Sequence, residues 1–151
     1  MQNSLERFVD QPSDRVRDHS AQIVNRRIAE RSRDRIQRVV SQGRDAIVQR
    51  LSQLDREWDV DRALMVNFAI VGGAAYAAGL QRYTNSPWFG RRRKGLLYFF
   101  GAQLGFLLLH GTVGWCPPLP VFRRFGVRTK SEIEAERRAL LEALGSESAP
   151  S

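Results

Sequence analysis

Two uncharged stretches decide the fold: residues 63–81 read ALMVNFAIVGGAAYAAGLQ, and residues 95–122 read GLLYFFGAQLGFLLLHGTVGWCPPLPVF. In a chain of 151 residues that is 26% charged, an uncharged run of 28 residues is not expected by chance. As helices, residues 63–81 and 95–116 measure about 28 and 33 Å, close to the hydrocarbon thickness of a bilayer. Pro117 and Pro118 are expected to end the second helix, because proline lacks an amide donor. The pattern predicts two transmembrane helices.

Overall composition limits the protein classes that fit. The net charge is +8. A mean hydropathy of −0.39 excludes a polytopic membrane protein in which most residues would be apolar, but it does not exclude short membrane segments. One cysteine excludes an intramolecular disulfide and an all-cysteine zinc site, and two histidines leave little for a metal site, so no metal or cofactor is predicted. Two buried helices of a soluble protein are the less favoured alternative, because such helices normally carry a polar stripe.

Small residues recur four positions apart within both stretches. In lipid, two helix backbones approach closely at such positions, and packing supplies the energy of association. In water, each glycine would cost about 1 kcal/mol relative to alanine. We therefore predict helix packing at three pairs: Gly73 with Ala77, Ala75 with Gly79, and Gly101 with Gly105.

Aromatic and basic residues mark the ends of the predicted helices. Tryptophan collects at the headgroup level of a bilayer, and Trp58, Trp88 and Trp115 all lie at the edges of the uncharged stretches. Their placement predicts an antiparallel hairpin with both termini on one side of the membrane. The connecting loop carries a basic block that is expected to contact anionic headgroups: Arg91, Arg92, Arg93 and Lys94.

The distribution of basic residues also bears on the side that the termini occupy. Lys and Arg number nine in the flanks of the two helices and five in the connecting loop, which favours cytoplasmic termini. The dense basic block in a short loop weakens this bias. The first 20 residues lack an apolar core, so a secretory signal peptide is not expected and insertion depends on the first crossing helix.

Residues 1–57 are predicted to form a charged helical arm, in which residues 13–57 read as one long helix. Its arginines suggest binding to anionic lipid or to nucleic acid, but nine interspersed acids disfavour nucleic acid. Self-association or lipid contact is therefore the preferred interpretation. A narrow apolar stripe, typical of a helix with a partner, runs along the arm: Ile36, Val40, Ile47, Leu51 and Leu54.

Residues 129–145 are predicted to form an amphipathic helix that lies on the bilayer or on the arm. Thr129-x-x-Glu132 and Ser131-x-x-Glu134 both fit a capping box at its start. Gly145 is expected to end it. Residues 146–151 are small and polar, and we expect a disordered tail.

Polar residues inside the predicted crossings have a structural and a chemical interpretation. Asn67, Gln103 and His110 are expected to form hydrogen bonds between helices, because two helices cannot enclose a pore. Cys116 is a candidate reactive thiol or ligand, together with His110. His110 lies about 240° around the helix from Cys116, so the simpler interpretation is a small side chain at a helix end.

Several short elements stand out along the chain: Trp58-Asp-Val-Asp-Arg62, the glycine-rich first helix, Gly114-Trp-Cys-Pro117, Arg123-Arg-Phe-Gly126 and Ser131-Glu-Ile-Glu134. In this order they resemble the small two-helix membrane-domain family typified by the transmembrane part of the rhodanese-linked inner-membrane protein YgaP. The resemblance covers about residues 58–142. It implies a hairpin fold and residence in a bacterial inner membrane. Residues 1–57 contain no cysteine and no rhodanese active-site loop, so sulfurtransferase activity does not carry over.

Together these observations predict an all-α integral membrane hairpin over residues 58–128, flanked by the arm and the amphipathic helix. The leading hypothesis is a non-enzymatic accessory or assembly subunit, whose partners are the lipid bilayer and either further copies of the chain or a larger membrane complex. The alternative is a sulfur-handling or redox role through Cys116. A third, weaker hypothesis is a soluble basic protein that binds nucleic acid.

Overall fold

The computed structural model describes residues 14–85 and 94–147, and every regular element in these ranges is an α-helix. Trp88 and Arg91–Arg93 lie outside these ranges. The chain folds into two compact units. The helical unit comprises Met1–Val60 and Pro120–Ser151, and the hairpin unit comprises Asp61–Leu119. The described residues form seven helices: α1 (Arg15–Asp18), α2 (Gln22–Ser41), α3 (Arg44–Leu54), α4 (Val60–Asn85), α5 (Lys94–Val113), α6 (Leu119–Arg124) and α7 (Lys130–Glu147).

The hairpin unit consists mainly of α4 and α5, which run antiparallel. His110 of α5 contacts Asp61 at the start of α4, whereas the rings of Tyr76 and Phe100 meet further along, with centroids 5.5 Å apart. Segments Val60–Gln81 and Gly95–Val113 are long and apolar enough to cross a membrane. The sequence-based prediction of two long apolar helices is therefore confirmed.

The end of the second apolar helix differs from the prediction. The sequence places it at residue 116, before two prolines, but α5 ends at Val113. The reason is Gly114, whose φ of 83° lies in the left-handed region that glycine adopts without strain. Cys116 therefore lies in the connection after the helix and not in its last turn.

The helical unit is built from α2, α3 and α7, which pack against one another. The amphipathic C-terminal helix thus lies on the N-terminal arm, one of its two expected positions. Its apolar stripe and that of the arm face each other, because burying both removes apolar surface from water. The core of the unit contains Ile36, Ile47, Leu54, Ile133, Ala135 and Leu140.

The prediction of one uninterrupted helix over residues 13–57 is wrong. The described part of this segment forms three helices, with a break between α1 and α2 and another between α2 and α3. At the second break Gly43 has a φ of 90°, outside the helical region. The chain turns there, so that Ile36 of α2 and Ile47 of α3 reach the same core.

The sequence predicts both the start and the end of α7. The capping box forms at Thr129 and Glu132: the Thr129 amide donates to Glu132 Oε2 at 2.9 Å, and the Glu132 amide donates to Thr129 Oγ1 at 3.3 Å. The predicted stop at Gly145 is wrong, because α7 continues to Glu147. Only residues 148–151 of the predicted tail lie outside the described ranges.

Candidate membrane interface and buried charge clusters

The hairpin unit exposes an extensive apolar surface. Within the two candidate spans, only 28% of the first and 6% of the second window is buried. The core helix of a soluble protein would be mostly covered, and exposed apolar patches of this extent mark contact with a membrane or a partner. The exposed large apolar side chains of the two helices include Met65, Ile70, Tyr76, Leu80, Leu97, Tyr98, Phe99, Leu104, Phe106 and Leu108.

The inner contact between α4 and α5 depends on small residues of α4. A Cβ atom placed on Gly72 would lie 2.9 Å from Gln103 Oε1 and 3.4 Å from the Phe100 ring, and one on Gly79 would lie 3.5 Å from Leu96 Cβ. Ala75 is buried on the same side of α4. The predicted pair of Ala75 and Gly79 therefore lies at the helix contact, and Gly72 joins it although no predicted pair includes it.

The other predicted small pairs point away from this contact. Gly73 and Ala77 are exposed on α4, and Gly101 and Gly105 are exposed on α5. A Cβ atom on Gly73, Gly101 or Gly105 would have no atom within 4 Å. These positions are therefore open for contact with another molecule, and their role in packing stays a prediction.

A hydrogen bond joins the two helices of the hairpin. His110 Nε2 lies 3.0 Å from Asp61 Oδ1, and the histidine is 8% exposed. The pair joins the end of α5 to the beginning of α4, so His110 has the interhelical role that the sequence suggests. Gln103 reaches α4 near Gly72.

Cys116 lies after α5 and is fully buried. The Leu119 amide donates a hydrogen bond of 3.1 Å to the Cys116 carbonyl. Burial raises the pKa of the Cys116 thiol, and the thiolate is the nucleophilic form. These properties fit a structural side chain better than a reactive one, and nothing in the geometry favours the sulfur-handling alternative.

The predicted interface residues are described only in part. The side chains of Trp58 and Trp115 are 48% and 36% exposed, as interfacial anchors require. Lys94 begins α5. Its side chain lies outside the part of the chain that the structure describes, and so do Trp88 and the three arginines that precede Lys94. The predicted headgroup contact of this basic block is thus untested.

A cluster of charged side chains that the sequence analysis missed is buried in the helical unit. Glu136 of α7 is fully buried and accepts hydrogen bonds from Arg50 Nε at 2.7 Å and from Arg35 Nη1 at 3.2 Å. Arg128 also donates to Glu136, and it reaches Glu57 at 2.6 Å. Burial by itself raises the pKa of Glu136, but the hydrogen bond from Arg50 and the charge of Arg128 outweigh it and lower the pKa.

A second buried ion pair joins the last turn of α6 to the capping box of α7. Arg123 is 1% exposed and donates two hydrogen bonds to Glu132, at 2.7 and 2.8 Å. It also donates to the Asn25 side chain at 2.8 Å and to the Val127 carbonyl at 3.1 Å. This bidentate geometry is the strong form of the arginine–carboxylate pair. The pair ties α6, α7 and α2 together.

Among the residues that the structure describes, no group of three or more His, Cys, Asp or Glu side chains is placed to hold a metal ion. No protein-family model matches the chain, and neither the curated proteins nor the solved structures contain a match.

Proposed function

We propose that this chain is a non-enzymatic integral membrane protein that acts as an accessory or assembly subunit in a bacterial inner membrane. One observation carries the proposal: α4 and α5 leave most of their large apolar side chains exposed. A bilayer is the environment in which such a surface is stable, and α4 and α5 have the length to cross it.

The helical unit supports a topology with both flanks of the hairpin on one side. Its core needs Ile36 and Ile47 from before the hairpin and Leu140 from after it. These segments meet only if the chain crosses the membrane an even number of times. The larger number of basic residues in the flanks makes the cytoplasm the proposed side.

The proposed partner is a second copy of the chain. Gly101 and Gly105 lie four apart on α5, and their exposed surface offers close backbone approach to another helix. The pair of Gly73 and Ala77 offers a similar surface on α4. Helix association through such surfaces needs no catalytic group, in keeping with a role in assembly.

Alkaline carbonate extraction tests the membrane assignment. Because the hairpin is held by apolar burial, we expect the full-length chain to stay in the membrane pellet at high pH, where peripheral proteins are released. A peripheral protein expressed in the same cells provides the control. Recovery of the chain in the soluble fraction would overturn the proposal.

Gly101→Leu is expected to weaken the assembly of the chain. A leucine at this position fills the open backbone surface and separates two helices that pack there. Blue native electrophoresis in a mild detergent should show a shift from the oligomer toward the monomer. Ala102→Leu is the matched control, because Ala102 is also exposed on α5 but points about 100° away. An unchanged oligomer for Gly101→Leu would rule out this packing surface.

A further inference from the structure

The short helix α6 presents an exposed apolar and basic surface, formed by Val121, Arg124 and Phe125. Val121 is 51% exposed and Phe125 is 81% exposed, the largest value among the exposed large apolar side chains of the described residues. The two lie four positions apart and are joined by the hydrogen bond from the Phe125 amide to the Val121 carbonyl. They therefore share one face, and the exposed Arg124 lies beside Phe125.

The backbone after α6 holds Phe125 in this outward position. Gly126 has a φ of 86°, its amide donates to the Arg123 carbonyl at 3.0 Å, and the Val127 amide donates to the Phe122 carbonyl at 3.1 Å. This pattern is a Schellman motif, in which Phe125 is the C-cap residue. The ion pair between the buried Arg123 and Glu132 stabilises the same turn. Phe125 thus stays exposed while this turn is intact.

Chain connectivity limits how far the start of α6 can lie from the end of the second apolar helix. Five residues separate Val113 from Leu119, and the six steps between them place the start of α6 at most about 22 Å from the end of α5. Hydrogen bonds shorten this connection, from the Gly114 amide to the His110 carbonyl and from the Leu119 amide to the Cys116 carbonyl. Where α5 ends at a bilayer surface, α6 begins within reach of the headgroups.

We propose that Val121, Arg124 and Phe125 form an interfacial anchor that enters the headgroup layer of an anionic bilayer. The inference rests on the proposed function, because α5 must cross the membrane for α6 to begin beside it. An aromatic and a branched apolar side chain next to an arginine match the layer where acyl chains meet anionic phosphates. A protein partner could cover the same surface, so the test must distinguish contact with protein from contact with lipid.

The test uses an environment-sensitive NBD fluorophore attached to one introduced cysteine of the full-length chain. The native Cys116 is replaced by serine (Cys116→Ser), so that the label has a single site. The label is attached at Phe125→Cys, or at Leu141→Cys as the matched control, because Leu141 is a half-exposed apolar residue of α7. Both proteins are reconstituted into vesicles of phosphatidylcholine and phosphatidylglycerol. We expect the label at Phe125→Cys to emit at shorter wavelength, to be quenched several-fold less by aqueous iodide, and to be quenched by lipids with a nitroxide near the headgroup.

The outcomes distinguish the anchor from the membrane assignment. Equal iodide quenching at both positions in a protein that resists carbonate extraction would overturn the anchor and leave the proposed function standing. Protection from iodide without quenching by nitroxide lipids would also overturn it, because protein would then cover Phe125. Release of both variants by carbonate would instead show that the proposed function itself is wrong.

Discussion

Glu136→Gln is expected to lower the free energy of unfolding of the helical unit by about 3–5 kcal/mol. Glu136 is fully buried and is the shared acceptor of Arg35, Arg50 and Arg128. Glutamine keeps the size of the side chain but removes its charge. Arg128 is 4% exposed, so of the two carboxylates that it contacts it would keep only the partly exposed Glu57 as a charged partner.

Amide hydrogen exchange of α7, measured in the full-length protein in detergent, reports the stability of the helical unit, because α7 is part of that unit. Opening of the unit should become about a hundredfold or more frequent, since each 1.4 kcal/mol is tenfold. Glu134→Gln is the matched control on the same helix. Its exposed carboxylate makes only a 4.0 Å contact with Lys130, so its effect should stay within about 0.5 kcal/mol. Equal protection in the two variants would contradict the assigned role of Glu136.

Acid is expected to weaken the same unit through the same carboxylate. The pKa of Glu136 lies below its ordinary value of 4.5 despite burial, because Arg50 and Arg128 stabilise the ionised form. Such a group contributes stability that is complete above its unfolded pKa and is lost as the pH falls through the folded pKa. The protection of the α7 amides relative to their intrinsic exchange rate at each pH should therefore change little near neutral pH and fall below about pH 4.5. Glu136→Gln should reduce that fall.

Gly72→Leu is expected to separate α4 from α5, with an overpacking cost of about 1–3 kcal/mol. Even a Cβ atom at this position would lie 2.9 Å from Gln103 Oε1 and 3.4 Å from the Phe100 ring. The Gln103 side chain can move aside for one carbon atom, but the remaining leucine atoms also meet the phenyl ring.

Gly73→Leu is the matched control, because a Cβ atom there has no neighbour within 4 Å and the gain in helix propensity is the same. Spin labels at Met65→Cys and Leu108→Cys in Cys116→Ser background would report the distance between the helices. Both positions are exposed, so the labels leave the inner contact intact. Gly72→Leu should lengthen and broaden the distance distribution, and Gly73→Leu should leave it unchanged. A narrow, unshifted distribution for Gly72→Leu would show that the helices do not meet there.

Local chemistry explains what could be predicted from the sequence. The uncharged stretches identify α4 and α5 because hydrophobicity and length are properties of the segment itself. The capping box was also recognisable, because Thr129 and Glu132 are three residues apart and each satisfies the other's amide. The stripe of apolar residues along the arm likewise indicated a helical partner, which is α7.

Long-range contacts explain what could not be predicted. Mixed charges along a helix are typical of a solvated face, yet Arg50 bonds to a buried Glu136 that lies 86 residues away. The turn at Gly43 carries no proline, and its place follows from the packing of α2 and α3 on one core. Gly72 and Gly73 are equivalent in the sequence, because α4 has no polar side that would show which of them faces α5.

The discontinuous helical unit has a consequence for the order in which the protein matures. The ribosome completes α2 and α3 first, then the hairpin, and makes α7 last. Until α7 emerges, Ile36, Ile47 and Leu54 lack the residues that close their core, and Arg50 lacks Glu136. A premature stop after α5 would therefore leave the core of the helical unit open, and quality-control proteases would meet an exposed apolar surface on α2 and α3 rather than a protein that has lost only a tail.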